Sequence, residues 1–155
     1  MTIRCEIVSQ DRTVFEGDVD MVVLPGTDGE MGILPNHSPL LSTIRLGVVK
    51  VRANQQEELF TITGGLVEVQ PDIVTILADA AENVEEINIS RAEEARQRAA
   101  QRLEEGPSPG TDAYLAAEAA LRRSTLRLEV ARRLGRTRDR RTEYPSGQAT
   151  GDAGN

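Results

Sequence analysis

The chain is 155 residues long with 25 acidic and 18 basic side chains, a formal net charge of −7, which allows one ordinary domain or a small domain with an appendage. A single cysteine (Cys5) and a single histidine (His37) exclude an internal disulfide, a thiolate zinc site and a His-rich metal centre. Four aromatic rings (Phe15, Phe60, Tyr114 and Tyr144) are too few for a stacking platform that holds single-stranded nucleic acid. No apolar run approaches the roughly 20 residues of a membrane span. No basic-then-apolar leader opens the chain, so a cytosolic location is expected.

The charge is unevenly spread. Residues 1–86 carry 15 acidic and 5 basic side chains, a net of −10, whereas residues 87–155 carry 13 basic and 10 acidic, a net of +3. Within 115–141, 9 arginines face only Glu118, Glu129 and Asp139, a net of +6. Lys50 is the sole lysine. Such asymmetry marks two units with different partners.

In chain order, Ile3, Cys5 and Ile7 alternate with Arg4, Glu6 and Val8 in the period-2 pattern of a half-buried strand. Apolar, β-branched runs follow at Val19 to Leu24, Leu46 to Val51, Leu59 to Thr63, Leu66 to Val69 and Ile73 to Leu77. Pro25-Gly26, Asp28-Gly29, Asn54, Gly64-Gly65 and Pro71-Asp72 punctuate them as turns. Short strands so spaced predict a sandwich or barrel.

From Ile87 the pattern turns helical. Ser90 followed by Glu93 fits a capping box, and good helix formers run to Glu105. Gly106-Pro107-Ser108-Pro109-Gly110 breaks the helix, and a second runs from about Thr111 to Leu134, ahead of Gly135. The two form an antiparallel hairpin. Their facing stripes are rich in small residues: Ala92, Ala95, Ala99 and Leu103 against Ala117, Leu121, Ser124, Leu128 and Ala131. Alanine buries little apolar area, so the hairpin is expected to be a detachable element. The Arg-rich, then Gly/Ser/Thr/Pro-rich segment 135–155 is expected to be a disordered tail.

No catalytic constellation emerges. Cys5 lies on the apolar face of a strand, away from any base role for His37. Lys50 lacks the glycines of a phosphate loop, and Gly26 to Gly32 (GTDGEMG) reads as a hairpin turn between strands.

Two segments are more particular than turns: residues 26–51 (GTDGEMGILPNHSPLLSTIRLGVVKV) and 63–81 (TGGLVEVQPDIVTILADAA). With the Ile87 to Ala92 junction and both helices, they make residues 1–134 resemble the epsilon-subunit family of the bacterial rotary ATP synthase. The resemblance implies a β-sandwich of about ten strands over 1–86 and a two-helix domain over 87–134. It implies a non-catalytic central-stalk subunit that couples proton-driven rotation to ATP synthesis and restrains ATP hydrolysis. Implied partners are the gamma subunit, the c-subunit ring, and the catalytic beta and alpha subunits. Contact with the membrane would be only indirect, at the cytoplasmic face of the bacterial plasma membrane.

Glu30, Gly32 and His37 match the family's ring-facing loop, with loop bracing favoured for His37. Arg122, Arg123, Arg127, Arg132 and Arg133 would face acidic segments of the beta subunits when the hairpin extends. The family's nucleotide motif, Ile/Leu-Asp-x-x-Arg-Ala, is matched by Ile87-Asn88-Ile89-Ser90-Arg91-Ala92. Arg91, Arg98, Arg123 and Arg127 fall at matching positions. Asn88 replaces the aspartate and removes a negative charge, so weak regulatory ATP binding at best is expected, with no other cofactor and no metal. Two alternatives stay open: a stand-alone nucleic-acid-binding module built on Arg122 to Arg141, and a free nucleotide sensor.

Overall fold

The structure is a computed structural model that describes the backbone of residues 1–142 and the side chains of residues 1–134. Among the described residues there are eight strands followed by two helices, rather than about ten strands. The strands are β1 (Ile3–Val8), β2 (Thr13–Val19), β3 (Met21–Gly26), β4 (Gly29–Ile33), β5 (Leu40–Ala53), β6 (Gln56–Val69), β7 (Ile73–Ala78) and β8 (Ala81–Asn83). A 3-10 turn, Val84–Glu86, leads into α1 (Ile89–Glu105) and α2 (Asp112–Thr142).

The strand order is β2-β1-β7-β6-β5-β3-β4, with β8 also paired to β6. All neighbours are antiparallel except β1 and β7. The two 14-residue strands β5 and β6 run through both layers of the sandwich. On β6 the inward residues are Phe60 and Ile62, then Val67 and Val69, so the buried parity switches between them. The switch falls at Gly64 and Gly65, whose φ values of 122° and 141° suit glycine alone. On β5 the same inversion separates Ile44 from Val49 and Val51. Strands β1 to β7 all contribute to one core, which includes Ile3, Cys5, Leu24, Ile33, Phe60 and Ile76. Phe15 of β2 meets Phe60 edge-on, with ring centroids 5.5 Å apart.

Several sequence expectations are corrected. Val19 to Leu24 is not one strand: β2 ends at Val19 and β3 begins at Met21. Gly64-Gly65 lies inside β6 rather than ending it. Most of the glycine-spaced turn is β4, paired to β3 from Gly26↔Gly29 to Val22↔Ile33. The cap of α1 is Asn88, whose Oδ1 accepts the Arg91 N–H at 3.0 Å. Ser90 is therefore inside the first turn, and Glu93 is engaged by Arg132 instead of closing a capping box. Helix α2 passes through Gly135 to Thr142, beyond the expected end at Leu134. The rest of the expected tail, 143–155, lies outside the described residues.

The hairpin is folded down on the sandwich. A second cluster of Val84, Ile87, Ala92, Leu128, Val130 and Ala131 joins the junction to both helices. Val48 and Leu59 of the sandwich pack at its rim, with Leu126 and Leu134 of α2. The other buried helix residues are the small Ala99, Ala117 and Ser124.

Candidate functional site

The first candidate region follows the β3–β4 turn. Glu30 and Gly32 alternate on the exposed side of β4, and Glu30 accepts from Lys50 Nζ of β5 at 3.1 Å. His37 lies beyond the strand, so the three residues are strung along β4 and its exit rather than clustered. Its Nδ1 is 2.7 Å from the Ser38 carbonyl, which requires Nδ1 to carry the proton and donate. Its backbone N–H donates to Leu34 O at 3.1 Å, and the Asn36 N–H ties the loop to Pro71 O at 2.8 Å. Asn36 adopts φ 62°, a left-handed turn conformation that asparagine tolerates. Near this loop stand exposed apolar side chains: Met1, whose sulfur accepts from Asn36, together with Leu34 and Leu41.

The second region is a cavity of about 490 Å³ between the sandwich and the hairpin. Arg123, Ser124 and Arg127 of α2 line one side, with Ala95 of α1. Thr61 and Thr63 of β6, Glu82 of β8, and Asp11 and Arg12 line the other. Ser124 Oγ donates to Ala120 O at 2.8 Å, which accounts for a buried hydroxyl on a helix. Arg127 makes a fork-like pair with Glu82, Nε to Oε2 at 2.8 Å and Nη2 to Oε1 at 3.0 Å.

Of the five residues expected at a nucleotide site, the cavity collects Arg123 and Arg127 only. Asn88 serves as the α1 cap. Arg91 is exposed at the first turn, and Arg98 pairs along its own helix with Glu94 at 3.8 Å. Sequence reasoning missed Glu82. It is 45 residues from Arg127, and no spacing signal connects a strand residue to a distant helix.

Of the other arginines on the basic helix, Arg122, Arg132 and Arg133 have described side chains, and those of Arg136, Arg138, Arg140 and Arg141 lie outside the described residues. Arg122 pairs with Glu118 at 3.5 Å, Arg132 with Glu93 of α1, and Arg133 lies exposed. A nucleic-acid module would need an open phosphate-binding row, and among the described side chains Arg122, Arg127 and Arg132 instead hold carboxylates of this chain. Among the described residues no group of three acidic, histidine or cysteine side chains is placed to hold a metal. No described helix is long and apolar enough to cross a membrane.

Comparison with known proteins gives a consistent result along most of the chain. Residues 2–84 match the beta-sandwich domain of the ATP synthase delta/epsilon chain, and residues 85–132 match its long alpha-helix domain. A protein named ATP synthase epsilon chain from Halalkalibacterium halodurans is 44% identical over 132 residues, covering 85% of this chain and 98% of the relative. One of the same name from Dehalococcoides mccartyi is 45% identical over 131 residues, covering 83% and 91%. The fold is similar to a chain in the Euglena gracilis mitochondrial ATP synthase OSCP/F1/c-ring structure, with a TM-score of 0.70 and 24% identity over 84% of this chain and 81% of that one. The chain belongs to the ATP synthase delta/epsilon family, as an epsilon chain of the bacterial type.

Proposed function

We propose that this chain is a non-catalytic subunit of the ATP synthase central stalk, coupling proton-driven rotation to ATP synthesis and restraining ATP hydrolysis through its helical hairpin. It works in the complex at the cytoplasmic face of the bacterial plasma membrane, reaching the membrane only through its partners. The observation that carries this reading is a sandwich with a complete core of its own, bearing a hairpin held by a much smaller shared cluster. A large solid body suits docking, and a lightly held arm suits movement.

The sandwich surface supports the division of partners. Leu66 and Leu77 face each other across β6 and β7, and both are exposed. Such a row favours the gamma subunit as the protein that covers it. The loop end bearing Glu30, Gly32, His37, Leu34 and Leu41 is assigned to the c ring, with His37 bracing the loop. On extension, Arg122, Arg123, Arg127, Arg132 and Arg133 reach acidic segments of the beta subunits. Helix α2 would span roughly 46 Å at 1.5 Å per residue, enough to enter the catalytic head.

The test is ATP hydrolysis by the reconstituted catalytic head, with the full chain and with a chain ending at Glu86. Faster hydrolysis with the shorter chain and equal binding to gamma are expected. Equal rates would leave only the coupling role, and failure of both chains to bind gamma would remove the assignment.

Weak regulatory ATP binding to the folded hairpin is a further part of the proposal: Arg123 lines the cavity, Arg127 would have to exchange Glu82 for phosphate, and Asn88 lacks the negative charge of the family's aspartate. Titrating the isolated chain checks this: no change in melting temperature at millimolar ATP eliminates it.

A further inference from the structure

We infer that Glu82 is a positioning residue that latches the hairpin in its folded state, occupying Arg127 as an internal anion that must let go before the helix can move. The inference rests on the reading of the hairpin as a movable arm.

Three observations carry it. The pair joins the two bodies directly, because Glu82 is on β8 of the sandwich and Arg127 is on α2, 45 residues away. The contact is bidentate and sheltered, with the side chains only 31% and 27% exposed. Surface pairs in this chain are more open, as with Arg98–Glu94 at 64% and 65%. The location is the third point. Arg127 and Glu82 both line the cavity where sandwich and hairpin meet, beside the small cluster of Leu128, Val130 and Ala131. Glu82 is held in place from behind by strand pairing, opposite Thr61 of β6. The carboxylate is therefore fixed to the rigid body and the guanidinium to the mobile one.

Arg127 spends one edge of its guanidinium, Nε and Nη2, on the one carboxylate. Extension of the arm carries this guanidinium away from the strand that bears Glu82, so it cannot hold Glu82 and an acidic partner of the extended arm at once. Latching and docking are then mutually exclusive uses of one side chain. Asp11, Arg12 and Arg123 face the same cavity, and Arg12 is drawn toward Glu86 at 3.4 Å. Of the arginines lining the cavity, Arg127 is the one paired with Glu82.

The experiment is amide exchange on the full chain, read at Val84 to Ile87 beneath α2, with β1 and β7 amides as the reference for an intact sandwich. Glu82→Gln and Arg127→Gln should each speed exchange there by about tenfold, between the effects of exposed and buried pairs. The double reversal Glu82→Arg with Arg127→Glu should recover protection that each reversal alone loses. With the catalytic head, Glu82→Gln should inhibit hydrolysis more than the natural chain and Arg127→Gln less, although both open the arm. A purely structural contact would move the two in the same direction. Unchanged exchange in Glu82→Gln, or no recovery in the double reversal, overturns the latch. If the brake reading fails instead, no variant alters hydrolysis while the exchange pattern persists, so the two failures are distinguishable.

Discussion

Gly65 stands on β6 with φ 141°, and a Cβ placed there would lie 2.0 Å from the Leu77 carbonyl oxygen and 3.0 Å from the Ala78 Cα. Both obstacles are backbone of β7, so no rotamer change relieves the clash. Gly65→Ala should therefore destabilise the fold by about 3 kcal/mol or more, through strain and forced displacement of the strand. Equilibrium denaturation in urea measures the loss. Cys5, fully buried on β1, makes a different prediction. Burial pushes its thiol up from 9.0 to about 12, with a lesser contribution from Glu6. Between those values the unfolded chain ionises while the folded chain keeps its proton. Stability from this group is therefore fully present below pH 9 and falls as pH rises toward about 12. Urea midpoints measured from pH 8 upward should decline less steeply in Cys5→Ala than in the natural chain. At pH 8 the folded thiol should also resist alkylation until the sandwich opens.

At the scale of elements, legibility followed hydrophobic pattern and failed at the sheet margins. Strands β1 and β7, both arms of β6 and the second arm of β5 carry buried apolar residues and are visible in the sequence, whereas the first arm of β5, with only Ile44 fully buried, is not. Strands β2 and β4 end the sheet order on either side, and Glu16, Asp18 and Glu30 lie on them. Edge strands use charge to avoid pairing with other chains, so the feature that suits them to an edge hides them from an apolar-run reading. Gly64 and Gly65 read as punctuation because glycine usually ends strands, but here they let one strand change layers. The helix cap was misplaced by two residues because Asn88 and Ser90 both qualify by type. Only the geometry, with Glu93 taken by Arg132, separates them. In the candidate sites, residue types were legible but the cross-chain pair Glu82–Arg127 was not. Asn88→Ala should cost about 1 kcal/mol by orphaning the Arg91 N–H, whereas Asn88→Asp should keep the cap and gain from the helix dipole. Thermal melts of the two variants should differ in that order.

For the whole molecule, the decisive asymmetry is between a core that is complete and one that is shared. The sandwich core draws on β1 to β7 and contains no helix residue. The second cluster does not close without Val84 and Ile87 from the junction, and it rests on Val48 and Leu59 of the sandwich. Within the hairpin, the half away from the sandwich buries Ala99 and Ala117, where each methyl contributes little. Helix α1, at 17 residues, is only a little above the length at which isolated helices become marginal, and the longer α2 depends on α1 and the sandwich to cover its buried Leu128, Val130 and Ala131. The two halves should thus differ sharply in autonomy. A chain ending at Glu86 should fold and unfold cooperatively in urea, losing only the stabilisation from covering Val48, Leu59 and Val84. A chain of residues 87–155 should keep much less helix, by far-ultraviolet circular dichroism, than those residues hold in the full protein. Added to the 1–86 chain in trans, it should regain helix as the shared cluster reforms, and less so when Glu82 is replaced by Gln. A free 87–155 chain that is fully helical and melts cooperatively on its own would mean that the hairpin has a sufficient core, contrary to the packing described.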